Sequence, residues 1–143
     1  MKTSEIMLGD YFNVYPSNLP IKVAAIHKGK VGYHARKDRL AWVRADLLRP
    51  IPLTPEILEK NGFKKDAFTN LSPDYYLGND EYSICINLNS TCDKSKSVWV
   101  EKRSSRFTVG IEESRHSLDK KPLYVHQLQH ALRLCGIDKT IEI

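Results

Sequence analysis

The pattern nearest to metal chemistry is His126-Gln127-Leu128-Gln129-His130. Two imidazoles at i and i+4 project from one helical face and can share a zinc ion. The spacing is that of HExxH, but Gln127 stands where the general-base glutamate belongs, and a neutral amide cannot take a proton from water. No third ligand is evident, since Cys135 falls on the apolar stripe of the same helix and Glu142 lies beyond a turn. The residues therefore predict no cofactor and no metal site. His126 and His130 remain only as candidate ligands, and both read as part of a polar helix face.

The second constellation is basic. Lys94, Lys96, Lys102, Arg103 and Arg106 surround Trp99, which alternates with Val98 and Val100 and so points away from them along a strand. An exposed indole among cations can stack on a base while the cations hold phosphates. These six residues are the candidate nucleic-acid-binding set, and a solvated hairpin tip with one packed tryptophan accounts for the same pattern. Arg36, Lys37, Arg39 and Arg44 near Trp42 form a smaller cluster of the same kind. Nucleophilic chemistry has less to draw on. Cys85 has no histidine near it in sequence, and free cysteines usually pack in cores. Glu112 and Glu113 beside Arg115 and His116 read as solvated loop charges. No GxGxxG, GxxxxGK[ST] or GxSxG occurs, and no residue is assigned a catalytic role.

The elements that must carry these residues follow from period and punctuation. Tyr11–Tyr15, Ile21–His27, Val31–Ala35 and Leu40–Val43 read as short strands separated by Pro16–Pro20, Lys28–Lys30 and Arg36–Arg39. They predict a small bent antiparallel sheet, for which an SH3-like barrel is one topology. Thr54, Pro55, Gly62 and Phe63 punctuate a helix of about two turns, with Thr54 as N-cap and Gly62 as the left-handed terminator. A polar stretch, Lys64–Asp74, follows. Tyr82, Ile84, Ile86 and Leu88 then alternate with Ser83, Cys85 and Asn87, and the runs Val98–Val100 and Phe107–Ile111 complete an antiparallel meander. Val125, Leu128, Leu132 and Cys135 step by three, four and three along a helix from Tyr124 to Cys135 that ends at Gly136. Thr140–Ile143 is an expected edge strand. The fold class is α+β: a β-rich beginning, a short helix, and a meander covered by the C-terminal helix.

Bulk properties bound the rest. The 143 residues, 41% apolar and 27% charged, suit one domain, and they admit a subdivision into a β-rich part, 1–50, and an α+β part, 51–143. Three cysteines match no disulfide framework, and no apolar run approaches the ~18 residues a bilayer span requires, so the expected location is cytoplasmic with no membrane partner. The net charge of +5 favours polyanions without specifying one.

The segment Leu48-Arg49-Pro50-Ile51-Pro52-Leu53-Thr54-Pro55-Glu56-Ile57-Leu58-Glu59-Lys60-Asn61-Gly62-Phe63 resembles an L-x-P-I-P-L-T-x-E-x-L-x-K-x-G-F pattern, and Tyr124-Val125-His126-Gln127-Leu128-Gln129 resembles Y-V-H-x-L-Q. Together they resemble a group of small proteins of Bacteroidetes genomes and their prophages or other mobile elements. The chain departs from that pattern at His130-Ala131-Leu132-Arg133, where an aromatic-rich continuation is expected. The resemblance implies no activity for any residue. It does imply a setting in which small basic proteins handle nucleic acid or partner proteins. Three readings follow: a non-enzymatic binding or adaptor protein contacting nucleic acid, a protein-interaction module acting as a homo-oligomer, and a metal-dependent hydrolase using His126 and His130.

Overall fold

The computed structural model describes residues 3–65, 73–88, 96–102, 107–112 and 122–143. The chain divides into two compact units, Met1–Ile51 and Pro52–Ile143.

In the first unit the chain turns at Gly9 (φ 83°), and Asp10 accepts the Met7 N–H at 2.8 Å before β1 (Tyr11–Val14) begins. β2 (Leu19–Lys22) returns antiparallel, with Phe12 opposite Ile21. The chain then bends: the Val23 N–H donates to Asp10 O (2.9 Å) and the Ala24 N–H to Gly32 O (2.8 Å). The strand expected from Ile21 to His27 is therefore two, because the bend moves the chain from one sheet to the next. Pro20 lies in β2 at a sheet edge, where its missing N–H deprives no neighbouring strand of a bond.

β3 (Ala25–His27), β4 (Lys30–Arg36) and β5 (Arg39–Arg44) make the second sheet. Lys28 and Gly29, both at positive φ (42° and 77°), form the two-residue turn between β3 and β4 that such backbone angles permit. A 3₁₀ turn, Ala45–Leu47, leads into β6 (Leu48–Pro50), which pairs antiparallel with β1. The orders β2-β1-β6 and β3-β4-β5 describe two open sheets joined by the bent segment. Phe12, Val31 and Leu48 are fully enclosed at the centre, with Ile6, Ile21, Val23 and Ala45 around them.

The second unit begins with helix α1 (Pro55–Lys60). Thr54 Oγ1 accepts the Ile57 N–H at 3.4 Å, and Gly62 (φ 83°) reverses the chain. The bonds Gly62 N→Glu59 O and Phe63 N→Leu58 O, both 3.0 Å, complete a Schellman motif that folds Phe63 back over Leu58, as the punctuation predicts.

A five-stranded antiparallel sheet follows, in the order β11-β10-β9-β8-β7. Its strands are β7 (Lys64–Lys65), β8 (Tyr75–Gly78), β9 (Tyr82–Asn87), β10 (Ser97–Lys102) and β11 (Phe107–Glu112). The meander is as expected, but β7 and β8 extend it. Lys64 begins a strand where the sequence reads as a polar stretch, since two residues pairing with a distant partner leave no period to detect.

Helix α2 (Val125–Leu134) lies along β10 and β11, and the residues enclosed are Ile84, Ile86, Val98 and Val100 from the sheet with Val125, Leu128, Ala131 and Leu132 from the helix. The helix ends in a second Schellman motif, Gly136 N→Arg133 O and Ile137 N→Leu132 O, both 2.9 Å. Beyond it the tail is not the anticipated edge strand. Side-chain amides bind its backbone where strand neighbours were expected. Gln129 donates Nε2–H to Lys139 O and accepts the Ile141 N–H, both at 2.8 Å. Asn61 donates Nδ2–H to Glu142 O (2.7 Å) and accepts the Glu142 N–H (2.9 Å). The two amides thus satisfy backbone groups of Lys139, Ile141 and Glu142.

Candidate functional site

The chain's two tryptophans stand on outward sheet faces, Trp42 in the first unit and Trp99 in the second, 49% and 46% exposed. Each is placed by alternation. Val98 and Val100 are fully buried on one face of β10, so Trp99 must take the other, as its sequence position predicts. The register then lines up Tyr76, Cys85, Trp99 and Gly110 in one row across four strands.

Of the basic set expected around Trp99, the described residues include Lys96, Lys102 and Trp99 itself. Lys94, Arg103 and Arg106 lie outside the described residues, as do Cys92, Glu113, Arg115 and His116. Lys102 is on the opposite face of β10 from Trp99, and its Nζ donates to Gly136 O at 3.2 Å, where a cation meets the C-terminal carbonyls of α2. Lys96 precedes the strand and makes other contacts. What does neighbour Trp99 is Ser83, Cys85, Asn87 and Glu101, lining a hollow of about 270 Å³ together with Pro73. Burial pushes the Cys85 thiol up, a hydrogen bond from Ser83 pulls it down, and the Glu101 carboxylate raises it further, so the thiol is neutral at pH 7 and a poor nucleophile.

The Trp42 face is different in kind. Gly32 lies directly across from Trp42, and Ala25 across from Gly32. A Cβ at Gly32 would collide with Leu40 Cδ2 and come within 3.3 Å of Trp42 Cη2, so the missing side chain is what lets the indole lie against the sheet. On one side of this row stands His27–Lys30–Arg44, in direct cross-strand register. At the hairpin tip Arg36 faces Arg39, one residue out of phase because of the irregularity between His34 and Arg36. Like charges placed directly opposite repel. Asp46 relieves Arg44 through two bonds, Nε to Oδ1 at 3.0 Å and Nη2 to Oδ2 at 2.6 Å, and that pairing holds the Asp46 carboxyl below its usual pKa. Lys28, Lys30, Arg36, Lys37 and Arg39 have no carboxylate within 4 Å among the described residues. Lys30, His27 and Gly32 carry no motif of their own. Only strand register brings them beside Trp42.

The histidine pair corrects a second expectation. His126 is 9% exposed and Gln129 5%, so neither belongs to a polar face. The tail backbone binds the Gln129 amide on its two sides. The rings of His126 and His130 meet edge to face at 5.7 Å, and Tyr124 stacks on His126 at 5.8 Å. Gln127, in the position of a metalloprotease glutamate, caps the helix instead, with its Oε1 accepting the Tyr124 N–H at 2.9 Å. Among the described residues no group of three His, Cys, Asp or Glu side chains is placed to hold a metal ion. Cys135 is buried, with its Sγ 3.5 Å from Val100 O. Among the described residues no helix is long and apolar enough to cross a membrane. No family model, curated protein or solved structure matches this chain.

Proposed function

We propose that the chain is a non-enzymatic binding protein whose first unit takes single-stranded nucleic acid on the Trp42 face. The observation that carries this is the distribution of charge. Residues 1–51 hold nine lysines and arginines against four aspartates and glutamates, while residues 52–143 hold thirteen of each. The whole net charge of +5 thus falls on the first unit, whose exposed aromatic is flanked by cations in mutual repulsion. A phosphate chain relieves that repulsion as it binds, and a base stacks on an indole whatever its identity. The mobile-element resemblance is consistent with such a role.

The test uses Trp99→Phe protein, so that fluorescence reports Trp42 alone, titrated with oligothymidylate. Quenching should saturate, and the logarithm of affinity should fall with the logarithm of salt at a slope of about −2 to −3, as expected for three or four phosphate contacts on a single strand. Trp42→Ala, read by anisotropy of labelled DNA, should weaken binding by about 1–3 kcal/mol. Affinity that stays constant across about 50–200 mM salt would falsify the phosphate contacts.

A further inference from the structure

The hollow beside Trp99 belongs to the second unit alone, and its donor and acceptor inventory specifies a different ligand. Asn87 donates its Nδ2–H to Ser97 Oγ at 3.0 Å, and its Oδ1 is a buried acceptor with no hydrogen-bond partner among the described residues. Glu101 contributes an exposed carboxylate, an acceptor only, with no cation within 4 Å among the described residues. Among the described residues no lysine, arginine or histidine lines the hollow. The site therefore offers one flat π face, one negative charge and unused acceptors.

The geometry points to a site for the guanidinium of an arginine side chain carried by a partner peptide, stacked on Trp99 with its N–H fork directed at the Glu101 carboxylate. Each element of the match is chemical. Guanidinium is planar, permanently charged and weakly hydrated, so it stacks on an indole and donates two parallel bonds to a carboxylate at once. An ammonium has the charge without the plane. A phosphate is repelled by Glu101. A neutral nucleobase has the plane without the charge. Asn87 lines the same hollow and adds a neutral polar side chain beside the π face and the carboxylate. This assignment does not depend on nucleic-acid binding by the first unit.

The experiment uses the full chain carrying Trp42→Phe, which leaves Trp99 as the reporter, and two blocked peptides, acetyl-Gly-Arg-Gly-Arg-Gly-amide and its lysine counterpart. Trp99 fluorescence and its indole N–H resonance should shift saturably with the arginine peptide, and the lysine peptide should bind about tenfold more weakly or worse. Glu101→Gln, isosteric and on the surface, should weaken the arginine peptide by a similar factor with the remaining amide spectrum unchanged. Equal binding of the two peptides overturns the proposal, as does unaltered affinity in Glu101→Gln. Self-association of the free protein that Glu101→Gln abolishes, with no response to either peptide, overturns it as well, because the occupant is then a second copy. The probe and the unit differ from those of the nucleic-acid titration, so one reading can fail without the other.

Discussion

Gln129→Leu is expected to destabilise the second unit by about 2–4 kcal/mol, although it replaces a polar residue by an apolar one of similar size on a helix that packs against a core. Gln129 is 5% exposed and makes two bonds at 2.8 Å to the tail backbone. Leucine fills the volume but strands the buried Ile141 N–H and the part-buried Lys139 C=O, and a buried group left without a partner costs about 1–3 kcal/mol, with less for the part-buried one. The gain from burying the extra apolar surface is roughly 1 kcal/mol and does not offset two such groups. The urea midpoint of the variant should fall accordingly. An unchanged midpoint would show that the tail contributes nothing to stability. Gln129→Glu sharpens the test. A carboxylate still accepts from Ile141 but confronts the Lys139 carbonyl with a second acceptor, so its folded-state pKa rises above the unfolded value of about 4.3. The stabilisation held by the protonated form is then fully present below that unfolded value and is lost as pH climbs through the raised one. The Glu variant should therefore match wild type most closely in acid.

Phe12→Ala should be more damaging still. Phe12 is fully buried, paired across β1 with Ile21 on one side and Pro50 on the other, and it touches the core of a unit only 51 residues long. Removing a buried phenyl ring costs about 3–5 kcal/mol. A core in a unit of that size supplies little more than the same amount. The two magnitudes nearly cancel, so the first unit of the variant should be largely unfolded at 25 °C. Amide exchange measures this directly. Protection at Val31 and Leu48 should collapse, and if it survives at wild-type levels the small-core account is wrong.

How far the sequence foretold this molecule depends on the range of the forces involved. α1 and α2 were legible because their signals are local: Thr54, Pro55 and Gly62 act on neighbours within a turn, and Gly136 does the same for α2. Trp99 was legible as outward-facing because strand alternation is local too. Alternation also puts Glu101 on its face and Lys102 on the other, but the rest of its surroundings were not legible, since register across β9 and β10 decides that Cys85 and Asn87 stand beside it. β7 is set by pairing with β8 alone and has no pattern of its own. His126 and Gln129 misled because on a helical wheel they read as solvated, whereas His126 is buried beside the Tyr124 and His130 rings and Gln129 binds a tail ten residues away in sequence. The basic cluster near Trp42 was visible, but its weight against the Trp99 segment depended on where the chain divides into units.

The two opposed cation pairs, Lys30 with Arg44 and Arg36 with Arg39, have a consequence for the protein without ligand. Dissolved ions shrink the reach of a charge from about 10 Å at 0.1 M to about 3 Å at 1 M. Added salt should therefore raise the melting temperature of the first unit while it loosens any grip on a polyanion. Simple electrolyte and bound polyanion are rival neutralisers of one internal repulsion. The thermal shift that an oligonucleotide confers should then be greatest in dilute buffer, where the empty hairpin is least content with its own charges.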